Sequence, residues 1–500
     1  MHRPRPPIRL RPALGPRVAL AAAVVAAFAM AYAFRQPALA LLRGEIDLRG
    51  EPRFEAAHPP HTEEVDFRDA VGQRWPAWTI ARGRAMRAET RATRRRAEEA
   101  AHRAFVELRY SHGADRNLVA LLDELALRLE TPLEEARRID YLLWAYNHYL
   151  DEADVPWRLE ATMRVDDPPL LYTRSYEVLS NHDTPSGRLR LLQRADLTNV
   201  DEGFLGHTDR DAAMVMMDRT VHFAVHRIWP MLSAGLDARL PPSLRTLAPF
   251  VRDAAALALP ADERALLEET AVDELALIEV AASIHARAEC GNTFRIYGLP
   301  WNGLSPPDQE ALIGALERGR GGDCPQVTLD EAARLIGASE RLGELPQLAP
   351  AVETLATWVA GSVGVHELRH ARDRREGRRA CIGCPGARVG QLGVAVRDEI
   401  GAYIASFADP ARAYVALAQA CGVDADAAGS LAPHAQALAA VLPDLLPEGC
   451  EGPIPEDLPA RAARLEARYF GGFTPIELPV DFPQRLQLLN RQDARVARHP

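Results

Sequence analysis

The chain has 500 residues, of which 47% are hydrophobic and 26% are charged. This composition is typical of a globular protein and excludes a disordered or fibrous chain. The 59 basic residues are all arginine, because the sequence contains no lysine, and with 69 acidic residues the net charge is -10. A negative chain is not expected to take nucleic acid as its main partner, and a chain without lysine excludes Schiff-base catalysis and a phosphate-binding P-loop.

The N-terminal segment, residues 1–43, has the features of a membrane-targeting sequence. An uninterrupted apolar run from Val18 to Phe34 follows an arginine-rich stretch. The positive-inside rule keeps those arginines in the cytoplasm, so we predict a single-pass inner-membrane protein whose body is periplasmic. A small-residue site ending at Ala40 also fits a signal peptidase, and cleavage near Ala40 would instead release the body as a secreted protein.

The body is predicted to be mainly α-helical with a small antiparallel β-sheet, an α+β fold. Residues 44–84 carry scattered prolines and predict a stalk or linker. Residues 85–300 predict a helical region that includes the sheet, at about 157–197, where apolar and polar residues alternate with a period of two. Residues 301–452 predict a helical domain with a metal site, and residues 453–500 predict a largely irregular, proline-rich tail.

Within the first helical region, His222 and His226 lie one helical turn apart. Two histidines at this spacing can share a metal ion, but a nearby carboxylate in a matching register is needed to complete such a set. The sequence offers none beside them, so both histidines are predicted to be structural.

All six cysteines follow the predicted sheet, on the side of the membrane to which the body is predicted to be exported. An oxidising compartment permits disulfide bonds. Proximity along the sequence predicts three pairs: Cys290 with Cys324, Cys381 with Cys384, and Cys421 with Cys450.

The segment that carries chemistry contains the motif H-E-x-x-H, formed by His366, Glu367 and His370. On a helix the two histidines lie on one face and can bind the same zinc ion, while Glu367 lies beside the open position of the metal. An apolar, helix-like stretch from Pro350 leads into the motif, as a helical site requires. Zinc acidifies its bound water, and the carboxylate can take the released proton and later give it to a leaving amine.

A catalytic zinc takes three protein ligands and a water molecule, so a third ligand is needed. The best candidate is Glu399, on an apparent second helix that follows the motif. With H-E-x-x-H completed by a downstream glutamate, residues 350–408 resemble the gluzincin type of zinc metallopeptidase. The resemblance implies a zincin-like helix pair with Glu367 as general base and three zinc ligands, His366, His370 and Glu399.

Two further side chains near the motif are candidates for a role. Asp373, three residues after His370, could orient an imidazole as a neighbouring carboxylate or could itself be the third ligand. Tyr403, one turn beyond Glu399, could donate a hydrogen bond to a developing oxyanion, although a tyrosine at helical spacing is more often simply packed.

The cysteines near the motif allow two other interpretations. His366 and His370 followed by Cys381 and Cys384 make a Cys2His2 set that could hold a closed, structural zinc. Cys381 and Cys384 also form a CxxC pair, which in other settings is a redox site.

The sequence as a whole predicts an exported, membrane-anchored zinc metallopeptidase. Its cofactor would be Zn2+ and its substrate a peptide or protein. The alternative is a non-catalytic envelope scaffold or binding protein, in which the H-E-x-x-H motif is degenerate or holds a structural zinc.

Overall fold

The computed structural model describes residues 53–164, 170–196, 205–209, 212–287, 294–296, 299–319, 324–377, 381, 384, 393–423 and 433–488. The predicted N-terminal membrane segment lies outside these residues, as does Cys290. By its internal contacts the chain divides into two units, one ending at Tyr176 and the other beginning at Glu177. The finer division into five segments stays a prediction.

The first unit is largely helical. Its helices are α1 (Phe67–Asp69), α2 (Trp75–Arg87), α3 (Arg91–Ser111), α4 (Arg116–Arg128) and α5 (Ala136–Glu152). Trp75 and Trp78 are buried, and the Trp75 ring lies 5.6 Å from that of Tyr146 in α5. The sequence predicts a stalk over residues 44–84, but the described part of that segment joins this core. Its buried tryptophans lie on either side of Pro76, in the first turn of α2, where a proline is compatible with a helix.

Among the described residues, five strands form one sheet in the order β1-β2-β3-β5-β4. The strands are β1 (Trp157–Arg164), β2 (Leu170–Thr184), β3 (Gly187–Arg194), β4 (Gly206–Asp209) and β5 (Ala212–Met216). The prediction of a small sheet in a mainly helical protein is confirmed, but the prediction that the sheet is antiparallel is wrong. β3 runs parallel to β5, with Leu189 opposite Ala213, whereas β4 runs antiparallel to β5. Alternating polarity identifies a half-buried strand but does not fix the direction of its neighbour.

The second unit contains the remaining helices. They are α6 (Met217–Phe223), α7 (Pro242–Ala258), α8 (Ala261–Ala286), α9 (Pro306–Gly319), α10 (Leu329–Gly343), α11 (Leu348–Glu376), α12 (Val394–Phe407), α13 (Ala413–Ala420), α14 (Pro433–Leu445) and α15 (Leu458–Phe470). α6 continues directly into a π-helical turn, Ala224–Ile228. A capping box at Thr328 begins α10, where Thr328 and Glu331 satisfy each other's backbone N–H groups.

Helix α11 forms the centre of the second unit. It has 29 residues and packs against β3, β4, β5, α8 and α12. Of the residues described, this helix alone is long and apolar enough to cross a membrane, and 89% of its most apolar window is buried inside the protein. Its apolar sequence is therefore accounted for by its position in the core.

The C-terminal segment, predicted to be a largely irregular tail, contains α15. Leu458, Leu465 and Tyr469 of this helix are buried. They recur at helical spacing in a helix that has Pro459 in its first turn and is ended by Gly471, which takes the left-handed conformation. The abundance of proline around the helix conceals this periodicity.

Two of the three predicted cysteine pairs lie at disulfide distance. Cys381 pairs with Cys384, and Cys421 pairs with Cys450. The third predicted pair includes Cys290, which lies outside the described residues.

Candidate metal centre

The two histidines of the H-E-x-x-H motif lie on one face of α11, as their spacing requires. Their ring centroids are 5.0 Å apart. His370 is buried and His366 is partly buried, with 12% of its side chain exposed. Both imidazoles therefore lie close together at the edge of the core, where a small ligand or a metal ion could reach them.

Glu399, the predicted third ligand, lies on α12 and faces these histidines. Its Oε2 is 3.2 Å from His366 Nε2, and its Oε1 is 3.5 Å from His370 Nε2. The side chain of Glu399 is only 14% exposed. The packing of α12 against α11 thus brings together the three residues that the sequence selects as ligands.

A third histidine, His434 at the start of α14, joins the same cluster. Its Nδ1 lies 3.0 Å from Glu399 Oε2, and donor atoms of His366, Glu399 and His434 all lie within 4.8 Å of one another. Imidazole nitrogens and a carboxylate oxygen are the donors that zinc prefers. Sequence reasoning missed His434, because a single histidine in an alanine-rich stretch carries no spacing signal.

Glu399 and its histidine neighbours alter the pKa values of the cluster. Burial acts to raise the pKa of Glu399, but hydrogen bonds from the three histidines outweigh it and hold that pKa well below its usual range. Burial likewise acts to lower the pKa of His370, but the hydrogen bond to Glu399 and the negative charges of Glu367 and Glu399 raise it. The carboxylate is therefore ionised, and without a metal it favours a positive charge on His370.

Tyr403, one turn after Glu399, lies beside the cluster. Its ring centroid is 4.9 Å from that of His366, and its hydroxyl oxygen is 3.3 Å from His434 Nδ1. Burial, with the negative charges of Glu399 and Glu367, raises the pKa of Tyr403. The phenol therefore stays protonated and is able to donate a hydrogen bond.

Glu367, the predicted general base, is held against the edge of the sheet. The Thr208 hydroxyl donates to Glu367 Oε2 at 2.8 Å, and Thr208 belongs to β4. A Cβ atom on Gly206 of the same strand would lie only 2.9 Å from Glu367 Cγ and 2.7 Å from the Met214 carbonyl oxygen. The glycine thus permits β4 to lie directly against the helix that carries the motif.

Asp373, predicted either to orient an imidazole or to bind the metal, takes a different partner. It accepts a hydrogen bond from Arg369 Nε at 2.7 Å. Arg369 is fully buried, donates to Glu466 Oε1 of α15 at 2.5 Å and lies over the Phe470 ring. Of the residues described, Asp373 is absent from the donor cluster, because the buried guanidinium needs it as a counterion.

The alternative Cys2His2 site requires thiolate ligands. Cys381 and Cys384 lie at disulfide distance from each other, and paired sulfur atoms are not thiolates. The cluster around His366 and His370 is instead completed by Glu399 and His434.

Comparison with known proteins adds nothing to these observations: no protein-family model, no curated protein and no solved structure matches this chain.

Proposed function

We propose that the protein is a zinc-dependent peptidase. The observation that carries the proposal is the convergence of His366, His370 and Glu399, from two packed helices, beside the carboxylate of Glu367. The donor types fit zinc, which when bound would polarise a peptide carbonyl and acidify a water molecule.

The roles of the surrounding residues follow from their positions. Glu367 would take a proton from the attacking water and pass it to the leaving amine, with Thr208 holding one carboxylate oxygen in place. Tyr403 would donate a hydrogen bond to the oxygen that becomes negative when water attacks the carbonyl.

The position of β4 favours a peptide as the substrate. β4 is the last strand in the order of the sheet formed by the described residues, and its Thr208 contacts Glu367. The carbonyl oxygen of Thr208 accepts a hydrogen bond from Arg374 Nη1 at 2.7 Å. An extended peptide that displaced Arg374 could pair with the outer edge of this strand through backbone hydrogen bonds, which would place a peptide bond beside Glu367. The arginine-rich N-terminus with its apolar run supports an export route and a membrane anchor, and the cysteine pairs are compatible with an oxidising compartment.

The first experiment counts zinc by elemental analysis of the full-length protein, purified in detergent and freed of adventitious metal. We expect the variants His366→Ala and Glu399→Gln each to lose one zinc per chain relative to the wild type. The matched control is Glu376→Gln, an exposed carboxylate on α11, which should keep the wild-type zinc content. A zinc content that neither His366→Ala nor Glu399→Gln changes would overturn the proposal.

The second experiment tests catalysis with fluorescently labelled casein and a library of quenched-fluorescent peptides. The Glu367→Gln variant should retain its zinc and lose at least about 100-fold in kcat, because it cannot accept the proton. Glu376→Gln should cleave at the wild-type rate. Hydrolysis that is equal in all three proteins would come from a contaminant and would contradict the assigned role of Glu367.

One observation favours the second candidate function, a structural zinc in an envelope scaffold. With His434 the cluster offers four donor residues, enough to close a tetrahedral site without a water molecule. Acetohydroxamate added to the cobalt-substituted protein distinguishes the two, since it changes the visible spectrum only if a coordination position is open. An unchanged spectrum, together with no peptide hydrolysis, would establish the scaffold function.

A further inference from the structure

A second cluster of metal-binding side chains lies outside the candidate centre, at the π-helical turn after α6. His222 and His226 lie one turn apart there, and their ring centroids are 4.1 Å apart. Asp218 precedes His222 by one turn, and the fold adds a carboxylate from another element, because Glu274 of α8 places Oε1 at 3.3 Å from His226 Nδ1. The cluster therefore contains two imidazoles and a carboxylate from two elements of the second unit.

Glu274 is buried in the protein interior, where an ionised carboxylate without a partner is energetically unfavourable. Its side chain is 1% exposed, and among the described residues neither its Oε2 nor His226 Nδ1 has a hydrogen-bond partner. A buried carboxylate of this kind is stabilised either by a proton or by a cation bound beside it.

The three residues line a cavity of about 490 Å³. Its other walls are mainly apolar and include Val225, Leu277, Phe294 and Trp301. Asp218, one turn before His222, also lines the cavity, and among the described residues its Oδ1 has no hydrogen-bond partner. The polar groups are thus gathered on the wall formed by α6, the π-helical turn and α8, next to space that a ligand could fill.

The local backbone conformation is an independent indication of a functional site at this turn. The turn Ala224–Ile228, which contains His226, is π-helical, whereas the preceding residues Met217–Phe223 are α-helical. Single π-helical turns inside helices occur frequently at functional sites, because the extra residue turns a side chain away from the regular spacing. Here the turn carries the histidine nearest to Glu274.

We propose that His222, His226 and Glu274 form a second binding site for a divalent transition metal such as zinc, separate from the centre around Glu399. Imidazole nitrogens and a carboxylate suit zinc, and the His222 ring, whose centroid lies 4.1 Å from that of His226, supplies the second imidazole. Three protein ligands leave a coordination position open, and the apolar cavity lies beside it.

Zinc stoichiometry tests this proposal, with the full-length protein in detergent and zinc itself as the probe. We expect two zinc ions per wild-type chain and one in His226→Ala and in Glu274→Gln. The matched control is His285→Ala, because His285 lines the same cavity about three helical turns beyond Glu274 on α8. This control should keep both zinc ions.

Single and double variants distinguish the two zinc sites from each other. His366→Ala should lose one zinc ion, and the double variant His226→Ala with His366→Ala should lose both. If His226→Ala and Glu274→Gln bind as much zinc as His285→Ala, the second site is refuted whatever His366→Ala does. Glu274→Gln preserves the shape of the side chain. In proteins that also carry His366→Ala, a thermal unfolding curve that gains stability with zinc only when the second site is intact would also support the proposal.

Discussion

At the scale of single residues, the two carboxylate oxygens of Glu399 lie close to three imidazoles. Oε2 lies near His366 and His434, and Oε1 lies near His370. In the absence of metal the interaction with Glu399 raises the pKa of His370, so a zinc ion that binds His370 must displace its proton. Zinc binding and proton release are therefore coupled here.

We expect the zinc affinity of this centre to increase with pH. Because the pKa of His370 is raised, zinc competes with a proton below that pKa, and the apparent Kd should fall about tenfold per pH unit for each proton displaced. Above the raised pKa the affinity should level off. Isothermal titration calorimetry in two buffers with different heats of ionisation measures both the Kd and the number of protons released.

The matched variant for this prediction is Glu367→Gln. The negative charge of Glu367 is one of the causes that raise the pKa of His370. Removing this charge should therefore lower the pH above which the zinc affinity becomes constant. An affinity that does not change between pH 5 and pH 8 would contradict the coupling.

Single residues also show where sequence reasoning reaches its limit. The motif spacing selects His366 and His370, because i and i+4 on a helix always share a face. Asp373 has the same kind of spacing, yet it pairs with Arg369, whose burial depends on tertiary packing. His434 comes from another helix and has no local pattern to identify it.

At the scale of elements, the approach of β4 to α11 depends on Gly206. A Cβ atom there would lie within 3 Å of Met214, Val363 and Glu367 atoms, two of which belong to the motif helix. We expect Gly206→Ala to displace β4, to cost about 1–3 kcal/mol of stability and to lower peptidase activity, because Thr208 would no longer hold Glu367. Denaturant unfolding and the casein assay measure the two effects.

The control for this strand prediction is Gly472→Ala. A Cβ atom on Gly472 would meet nothing within 4 Å, so the same substitution should leave stability and activity near wild type. Equal effects of the two alanine variants would show that close packing at Gly206 is not the cause.

A second prediction at this scale concerns the ion pair that joins α15 to α11. Arg369 and Glu466 both have fully buried side chains, 2.5 Å apart between nitrogen and oxygen. Glu466→Ala leaves a buried guanidinium without this partner and should cost about 3–5 kcal/mol. Urea unfolding of the full-length protein measures the loss.

Arg464→Ala provides the comparison, because Arg464 lies on the same helix and its ion pair with Asp457 is exposed. That variant should unfold near the wild-type midpoint. If the two variants unfold at the same urea concentration, the buried ion pair does not stabilise the packing of α15 against α11.

Some of the helices and strands can be predicted from the sequence and others cannot, for a physical reason. Local periodicity predicts α11 and α12 and the alternating strands, since each has a repeating apolar pattern. It does not predict the parallel pairing of β3 with β5, which depends on a connection through β4. The helix α15 and the helical part of 44–84 are concealed by prolines that lie at their ends rather than within them.

At the scale of the whole molecule, the two described disulfide pairs close loops of very different length. Cys421 and Cys450 are separated by 29 positions, whereas Cys381 and Cys384 are separated by 3. Loop-closure entropy predicts a stability loss of about 3–4 kcal/mol when the first pair is replaced by serines and about 1–2 kcal/mol for the second pair. Chemical unfolding of the two double variants under oxidising conditions measures the difference, and equal losses would contradict it.

The class of the whole fold could be predicted, since helical patterns dominate the sequence and one short region alternates with period two. The division near Tyr176 could not, because it falls inside β2, in the middle of a regular pattern and without a linker signal.

The longer disulfide loop has a consequence for when the protein would become active. The loop between Cys421 and Cys450 includes α14 and therefore carries His434. In the reducing cytoplasm both cysteines would remain thiols, and the loop that carries His434 would be held only by noncovalent packing, mainly of α14 against α12. If the protein is the exported peptidase proposed above, oxidation after export would close this loop, so that the site would be completed only outside the cytoplasm.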